Sequence, residues 1–192
     1  MASVIREKGE KSKFQTNWRR KKSKATRGRQ YPKKIKEVIE KAAKEPLSTR
    51  DIISCLKNVP NFVGVFSSDQ LKFVKLHTFP IFFVVNLDVS SGPGLHWLSV
   101  RISRRHIEIF DSLGFNPSLW SVYPKHLFQF LSSYRFSHKF TISPILQPVN
   151  TFTCGAFVIF FILYRQNHTY SQCLRVFSKS LSKNYLIIKH LL

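Results

Sequence analysis

Apolar positions are distributed unevenly along this chain. Over residues 1–36 they are nearly absent, and from about Leu47 they recur in the runs and alternations of a folded domain. PIFFVVNLD at 80–88 is a β-branched and aromatic run opened by a proline, the pattern of a buried strand. SSGPG at 90–94 predicts a turn, HWLSVRI at 96–102 a second strand, SRR at 103–105 a hairpin tip, and HIEIFD at 106–111 a third strand. KFTISPIL at 139–146 predicts a fourth. Helices are expected over Lys33–Lys44, from Ser48 or Thr49 as N-cap, over Pro124–Arg135, and over about 170–181. Between the last two, residues 155–167 read as a helix that is apolar nearly all round, hence central and buried. No internal repeat interrupts this order, and the mixture predicts an α+β domain.

Charge divides the chain in two. Its 192 residues carry 31 Lys and Arg against 10 Asp and Glu, a formal +21. Residues 1–45 hold 16 of the cations and 5 acids, so the reading is a largely disordered basic arm at 1–45 and a folded domain at 46–192. Such an excess selects polyanionic partners, double-stranded DNA first, without sequence preference. Arg19, Arg20, Lys21, Lys22, Lys24, Arg27, Arg29, Lys33 and Lys34 are the expected phosphate contacts. The few interleaved aromatics (Phe14, Trp18, Tyr31) favour phosphate contact over base stacking. The same run suits a nuclear localisation signal.

Three cysteines, Cys55, Cys154 and Cys173, lack the spacing of a disulfide framework, and MASVIREKGEKSK has no apolar signal region. AFVIFFILY at 156–164 is too short to span a bilayer, so an intracellular or virion protein without membrane insertion is expected. No C-x-x-C or H-x-x-x-H pair predicts a metal, and no Walker-type loop predicts nucleotide hydrolysis.

The reactive residues fall at telling places. His96 opens one strand and Asp111 ends the next, and an antiparallel hairpin brings those ends together. An imidazole beside a carboxylate has its tautomer fixed. Cys154 stands at the head of the buried helix, where unpaired amides and the helix dipole favour a thiolate, and a neighbouring histidine completes a thiolate–imidazolium pair. Gln147 offers a side-chain amide donor and Cys154 its own backbone N–H, which together have the composition of an oxyanion hole. Chain order is His, Asp, Gln, Cys.

GLHWLSV, IFDSLGFNP and QPVNTFTCGAF resemble the catalytic blocks of the adenovirus-type maturation proteases, the adenain family, found in adenoviruses and polinton or adintovirus-like elements. The likeness covers about residues 47–165 and includes LKNVPNFVGVFSSDQL at 56–71. It implies a papain-like, SUMO-protease-type fold, with a mixed, mostly antiparallel sheet on a central helix. It further implies His96 as general base, Asp111 as its orienting acid, Cys154 as nucleophile, Gln147 as oxyanion donor, and Trp97 and Gly155 at the substrate. Implied substrates are viral capsid or core precursors with Gly near the cleaved bond, processed by a monomer in the virion and host nucleus. The SUMO-specific proteases share the His-Trp pair and the acid-Ser-Leu step. The seven-residue interval from Gln147 to Cys154, and Thr153 where that group carries Asp, favour the adenain type. A basic core protein that lacks activity is the remaining alternative.

Two departures matter. The acid is Asp where adenovirus enzymes carry Glu, and no cysteine lies between Asp111 and Gln147 to tether an activating peptide. DNA, or a peptide added as a strand without a disulfide, is the candidate activator, and no other cofactor is implied. With 38 residues after Cys154, a reduced C-terminal helical part is expected.

Overall fold

The structure is a computed structural model that describes residues 31–74, 78–114, 123–134 and 137–192. Five strands form one sheet in the order β1-β2-β3-β4-β5, spanning Phe62–Ser67, Ile81–Asn86, Trp97–Ile102, His106–Phe110 and Lys139–Ile142. β2, β3 and β4 form the antiparallel centre, while β1 joins β2 and β5 joins β4 in parallel. The expected predominance of antiparallel pairing is therefore corrected to an even division. Both outer strands arrive by crossovers, which reverse their direction relative to a hairpin.

β1 was not among the strands the pattern predicts. Its run FVGVFS is half-buried at the sheet edge and broken by Gly64, at φ 146°, where the pairing slips by one residue. A bulged edge strand lacks the apolar alternation on which such a reading depends. The other predicted strands appear with trimmed ends. SPIL at 143–146 leaves the sheet altogether, and His96 sits just ahead of β3.

Strand alternation sends two sets of side chains to opposite faces. Phe83, Val85, Leu98, Val100, Ile107 and Ile109 pack beneath Leu71 of a 3-10 turn (Ser68–Phe73) and Leu127 and Leu131 of one helix, Lys125–Ser132. Phe82, Val84, Trp97 and Phe110 face the remaining helices. In chain order these are α1 (Lys33–Lys41), α2 (Thr49–Leu56), α4 (Cys154–Arg165), α5 (Tyr170–Arg175) and α6 (Leu181–Leu191), with Lys125–Ser132 as α3. α4 lies centrally, every residue from Cys154 to Tyr164 buried, with Phe161 stacked on Phe110 of β4 at 4.4 Å between ring centroids. Each such side chain contributes roughly 1.5–3 kcal/mol on burial. Among the described residues no helix is long and apolar enough to cross a membrane.

Local signals explain the helix boundaries. Ser48 caps α2, its Oγ accepting from the Asp51 N–H at 3.2 Å while the Asp51 carboxylate accepts from the Ser48 N–H at 2.9 Å. Thr169 and Gln172 form the same reciprocal pair at α5. The single closing helix expected over 170–181 is instead two, α5 and α6, separated at VFSKS. Asn184, fully buried in α6, stabilises that break. Its Oδ1 accepts from Ser178 N at 2.7 Å and its Nδ2 donates to Leu146 O at 2.9 Å.

The folded unit also begins earlier than residue 46. Ile35, Val38, Ile39 and Ala42 recur at helical spacing and are buried against α2 and α6. Tyr185 Oη donates to Ile39 O at 2.5 Å, and Lys189 pairs with Glu40 at 3.1 Å. The expected arm thus gives up its last part to the domain, because four apolar residues on one face outweigh the surrounding lysines. Its residues 1–30, with Arg19 to Arg29 among them, lie outside the described residues. Ile39→Ala should lower unfolding free energy by about 2–4 kcal/mol in urea titration. A loss under about 0.5 kcal/mol, the size of an ordinary surface change, would mean that α1 is not docked.

Candidate active site

The β3–β4 hairpin does what its register requires. Ser99 opposes Phe110, so the residues just before β3 and just after β4 lie side by side. His96 Nε2 and Asp111 Oδ1 are 2.7 Å apart, both buried. Asp111 is itself held. Oδ1 also accepts from Leu113 N at 2.8 Å, Oδ2 accepts from Tyr123 Oη at 3.2 Å, and Ser143 Oγ bridges the Asp111 N–H and C=O at 2.8 and 2.6 Å. The carboxylate can therefore neither rotate nor withdraw without breaking several bonds.

With Nε2 committed to Asp111, Nδ1 remains for the thiol of Cys154, which lines the same cleft. Burial pulls the imidazole pKa down, but the bond to Asp111 and the electrostatic influence of Asp111 and Cys154 outweigh it and lift His96 to about 9. An imidazolium is thereby favoured at neutral pH, the form that pairs with a nucleophilic thiolate. Cys154 occupies the first position of α4, where the opening N–H groups have no i−4 partner and Ala156 N turns to Thr153 O at 2.9 Å instead. The other two cysteines differ. Burial raises the pKa of Cys55 and pushes Cys173 up to about 12, so neither is set up as a nucleophile.

His96, Trp97, Gln147 and Cys154 line one cleft of about 780 Å³. Gln147 is fixed by tertiary bonds. Its Oε1 accepts from Ser112 Oγ at 2.7 Å, and its Nε2 donates to Thr151 O at 2.8 Å, which engages one of two amide hydrogens. Ser112 follows Asp111 directly, so the acid and the oxyanion candidate are braced through adjacent residues. The Trp97 indole N–H donates to Leu47 O at 2.8 Å. Gly155, next to Cys154, is not among the residues that line the cleft. It packs on Leu47, whose Cβ would stand 2.9 Å from a Cβ at 155. Lys33 and Lys34 are exposed on α1, Lys33 lying 3.6 Å from Glu37.

Sequence reasoning missed the residues that hold this site. Asn86 Oδ1 accepts from Leu95 N at 3.0 Å and Asp88 N at 2.9 Å, and Asp88 Oδ2 accepts from Gly94 N at 2.9 Å. Together they shape the loop that delivers His96. Asp69 pins the same loop from the 3-10 turn, accepting from Ser90 N at 2.8 Å and Ser90 Oγ at 2.7 Å. A Cβ on Gly92 would overlap the Asp88 carboxylate. The signal was present in N-L-D ahead of SSGPG, since Asn and Asp side chains bond to backbone N–H groups nearby in turns. Ser143 carried no local signal, and Ser112 stood out only as part of the acid-Ser-Leu step.

Two consequences are measurable by NMR and unfolding. His96 should titrate near 9, well above its ordinary 6.5, and Asp111→Asn should lower that value. Because the folded state binds this proton more tightly, the linked stability is present below about pH 6.5 and is lost as pH rises through about 9. A His96 titrating near 6.5 in the native protein would sever it from Asp111.

No protein-family model and no curated protein matches this sequence. Among solved structures, the chain is similar to the ASFV pS273R protease, at 18% identity and a TM-score of 0.44, covering 76% of this chain and 67% of that one. It is also similar to the SUMO protease Ulp1 with its catalytic cysteine oxidised to a sulfinic acid, at 17% identity and a TM-score of 0.38, covering 85% and 95%. The sulfonic acid form of Ulp1 stands at 17% and 0.38, covering 84% and 97%.

Proposed function

We propose that this protein is a cysteine endopeptidase. The observation that carries the reading is His96, buried and bonded to Asp111, on the wall of the cleft that Cys154 also lines. Cys154 Sγ attacks the scissile carbonyl carbon, forming the C–S bond, and electrons move to the carbonyl oxygen. The Cys154 N–H and the second amide hydrogen of Gln147 stabilise that oxyanion. As the intermediate collapses the C–N bond breaks, and His96 delivers its proton to the leaving amine. Water, deprotonated by His96, then hydrolyses the thioester. Asp111 keeps the imidazole oriented and stabilises its charge throughout.

At the finer level the enzyme is of the adenovirus maturation type. It acts as a monomer on viral capsid or core precursors with Gly near the cleaved bond, in the virion and host nucleus. The spacing of QPVNTFTCGAF supports this choice. Non-specific double-stranded DNA, gathered by the basic arm, concentrates enzyme and substrates on one polyanion and is the candidate activator.

Purified protein incubated with precursor polypeptides should yield new termini by mass spectrometry, abolished in Cys154→Ala. Cleavage restricted to SUMO-like or ubiquitin-like precursors would replace the maturation reading, and no cleavage of any polypeptide would sink both. Gln147→Ala should lower kcat by about 10²–10³ with KM little changed. A change confined to KM would make Gln147 a substrate contact instead. Deleting residues 1–30 removes 11 Lys and Arg with 2 Glu, and leaves α1 in place. DNA affinity and its salt dependence should both fall while short-peptide cleavage persists. Unchanged affinity at two salt concentrations would move the DNA contact onto the folded domain.

A further inference from the structure

The two reacting side chains come from distant parts of the sequence, His96 ahead of β3 and Cys154 at the head of α4. Yet one residue touches the immediate neighbours of both. Leu47, in the connection between α1 and α2, is 3% exposed. Its carbonyl oxygen accepts the buried indole N–H of Trp97 at 2.8 Å, and Trp97 follows His96. Its side chain fills the space above Gly155, which follows Cys154. A Cβ at 155 would stand 2.9 Å from Leu47 Cβ and Cδ1 and 3.1 Å from Cγ. Cβ and Cγ lie too close to the backbone to swing aside, so either the connection or α4 has to shift.

The connection is held on both sides. Ahead of it, Lys41 at the end of α1 pairs with Asp51 at 2.9 Å. Behind it, Ser48 and Asp51 cap α2 reciprocally. Leu47 is thus a fixed strut rather than a loop residue that follows its neighbours. We infer that Leu47 is a positioning residue, which sets the approach of the strand carrying His96 to the helix carrying Cys154. This role rests on the peptidase reading for its purpose and on geometry for its existence. It also gives Gly155 a reason: only a residue without Cβ lets α4 come this close to Leu47. Trp97 gains one too, because a phenyl ring in its place would lack the directional bond.

The test follows Cys154 alkylation by iodoacetamide at pH 7, with peptide mapping to separate the three cysteines. Trp97→Phe keeps a ring and removes the N–H, and should slow Cys154 alkylation about tenfold. Gly155→Ala should slow it by about 10–100-fold, since a displacement of about 1 Å is enough to cost that much. Adding Leu47→Gly removes all three atoms the new methyl meets. The double variant should therefore alkylate about tenfold faster than Gly155→Ala alone, a difference of about 1.4 kcal/mol. General loosening of the fold moves the readout the other way, by raising labelling of buried Cys55 and Cys173. Should Gly155→Ala not fold, Trp97→Phe decides alone. Unchanged Cys154 alkylation in Trp97→Phe, or a double variant no faster than Gly155→Ala, overturns the inference. Alkylation needs no peptide, so a wild-type protein that cleaves nothing would fail the peptidase reading while leaving this one standing.

Discussion

A helix without a polar face has to be enclosed, and the enclosure of α4 organises this molecule. Cys154 to Tyr164 are buried in succession, which requires the sheet on one side and α1, α2, α5 and α6 on the others. Its termini alone remain as places where polar groups meet solvent or partners. At the C-terminal end Arg165 engages Glu108 through Nε and Nη2, both at 2.9 Å, and Arg101 shares that carboxylate at 3.1 Å. At the N-terminal end Cys154 lines the cleft. One packing constraint therefore fixes which end of the sheet can hold a reactive site.

The hairpin completes it from the opposite direction. β3 and β4 run from the cleft to the Arg104–Arg105 tip and back, so His96 and Asp111 lie together at the end of the sheet that Cys154 also borders. Cost is spread over a shell of bonds rather than loaded on one contact. Asp111 alone accepts from His96, Leu113 and Tyr123, and Ser143 ties down its backbone. A buried carboxylate satisfied this fully is expensive to disturb, since each unmade bond leaves a desolvated acceptor.

The same bonds shape the electrostatics. All five acids of residues 46–192 are committed: Asp51 to Lys41, Asp69 to Ser90, Asp88 to Gly94, Glu108 to Arg101 and Arg165, and Asp111 to His96. The 15 Lys and Arg of that region are left in large excess over carboxylates, beyond what the arm contributes. Such a field is screened by salt and weakens as ionic strength rises.

Periodicity and residue type alone determined the α+β class, the central position of α4, the β3–β4 hairpin and the candidate set His96, Asp111, Gln147 and Cys154. These are local properties, in which spacing within a strand or helix decides which side chains share a face. Tertiary structure decided the rest. β1 is a strand only because β2 offers it an edge, and α1 belongs to the domain only because α2 and α6 accept Ile35, Val38 and Ile39. SPIL leaves the sheet to place Ser143 under Asp111, and Gly155 packs against Leu47. None of these partners lies within a few residues of the group it serves, and a single sequence does not encode which distant residue will fill a given space.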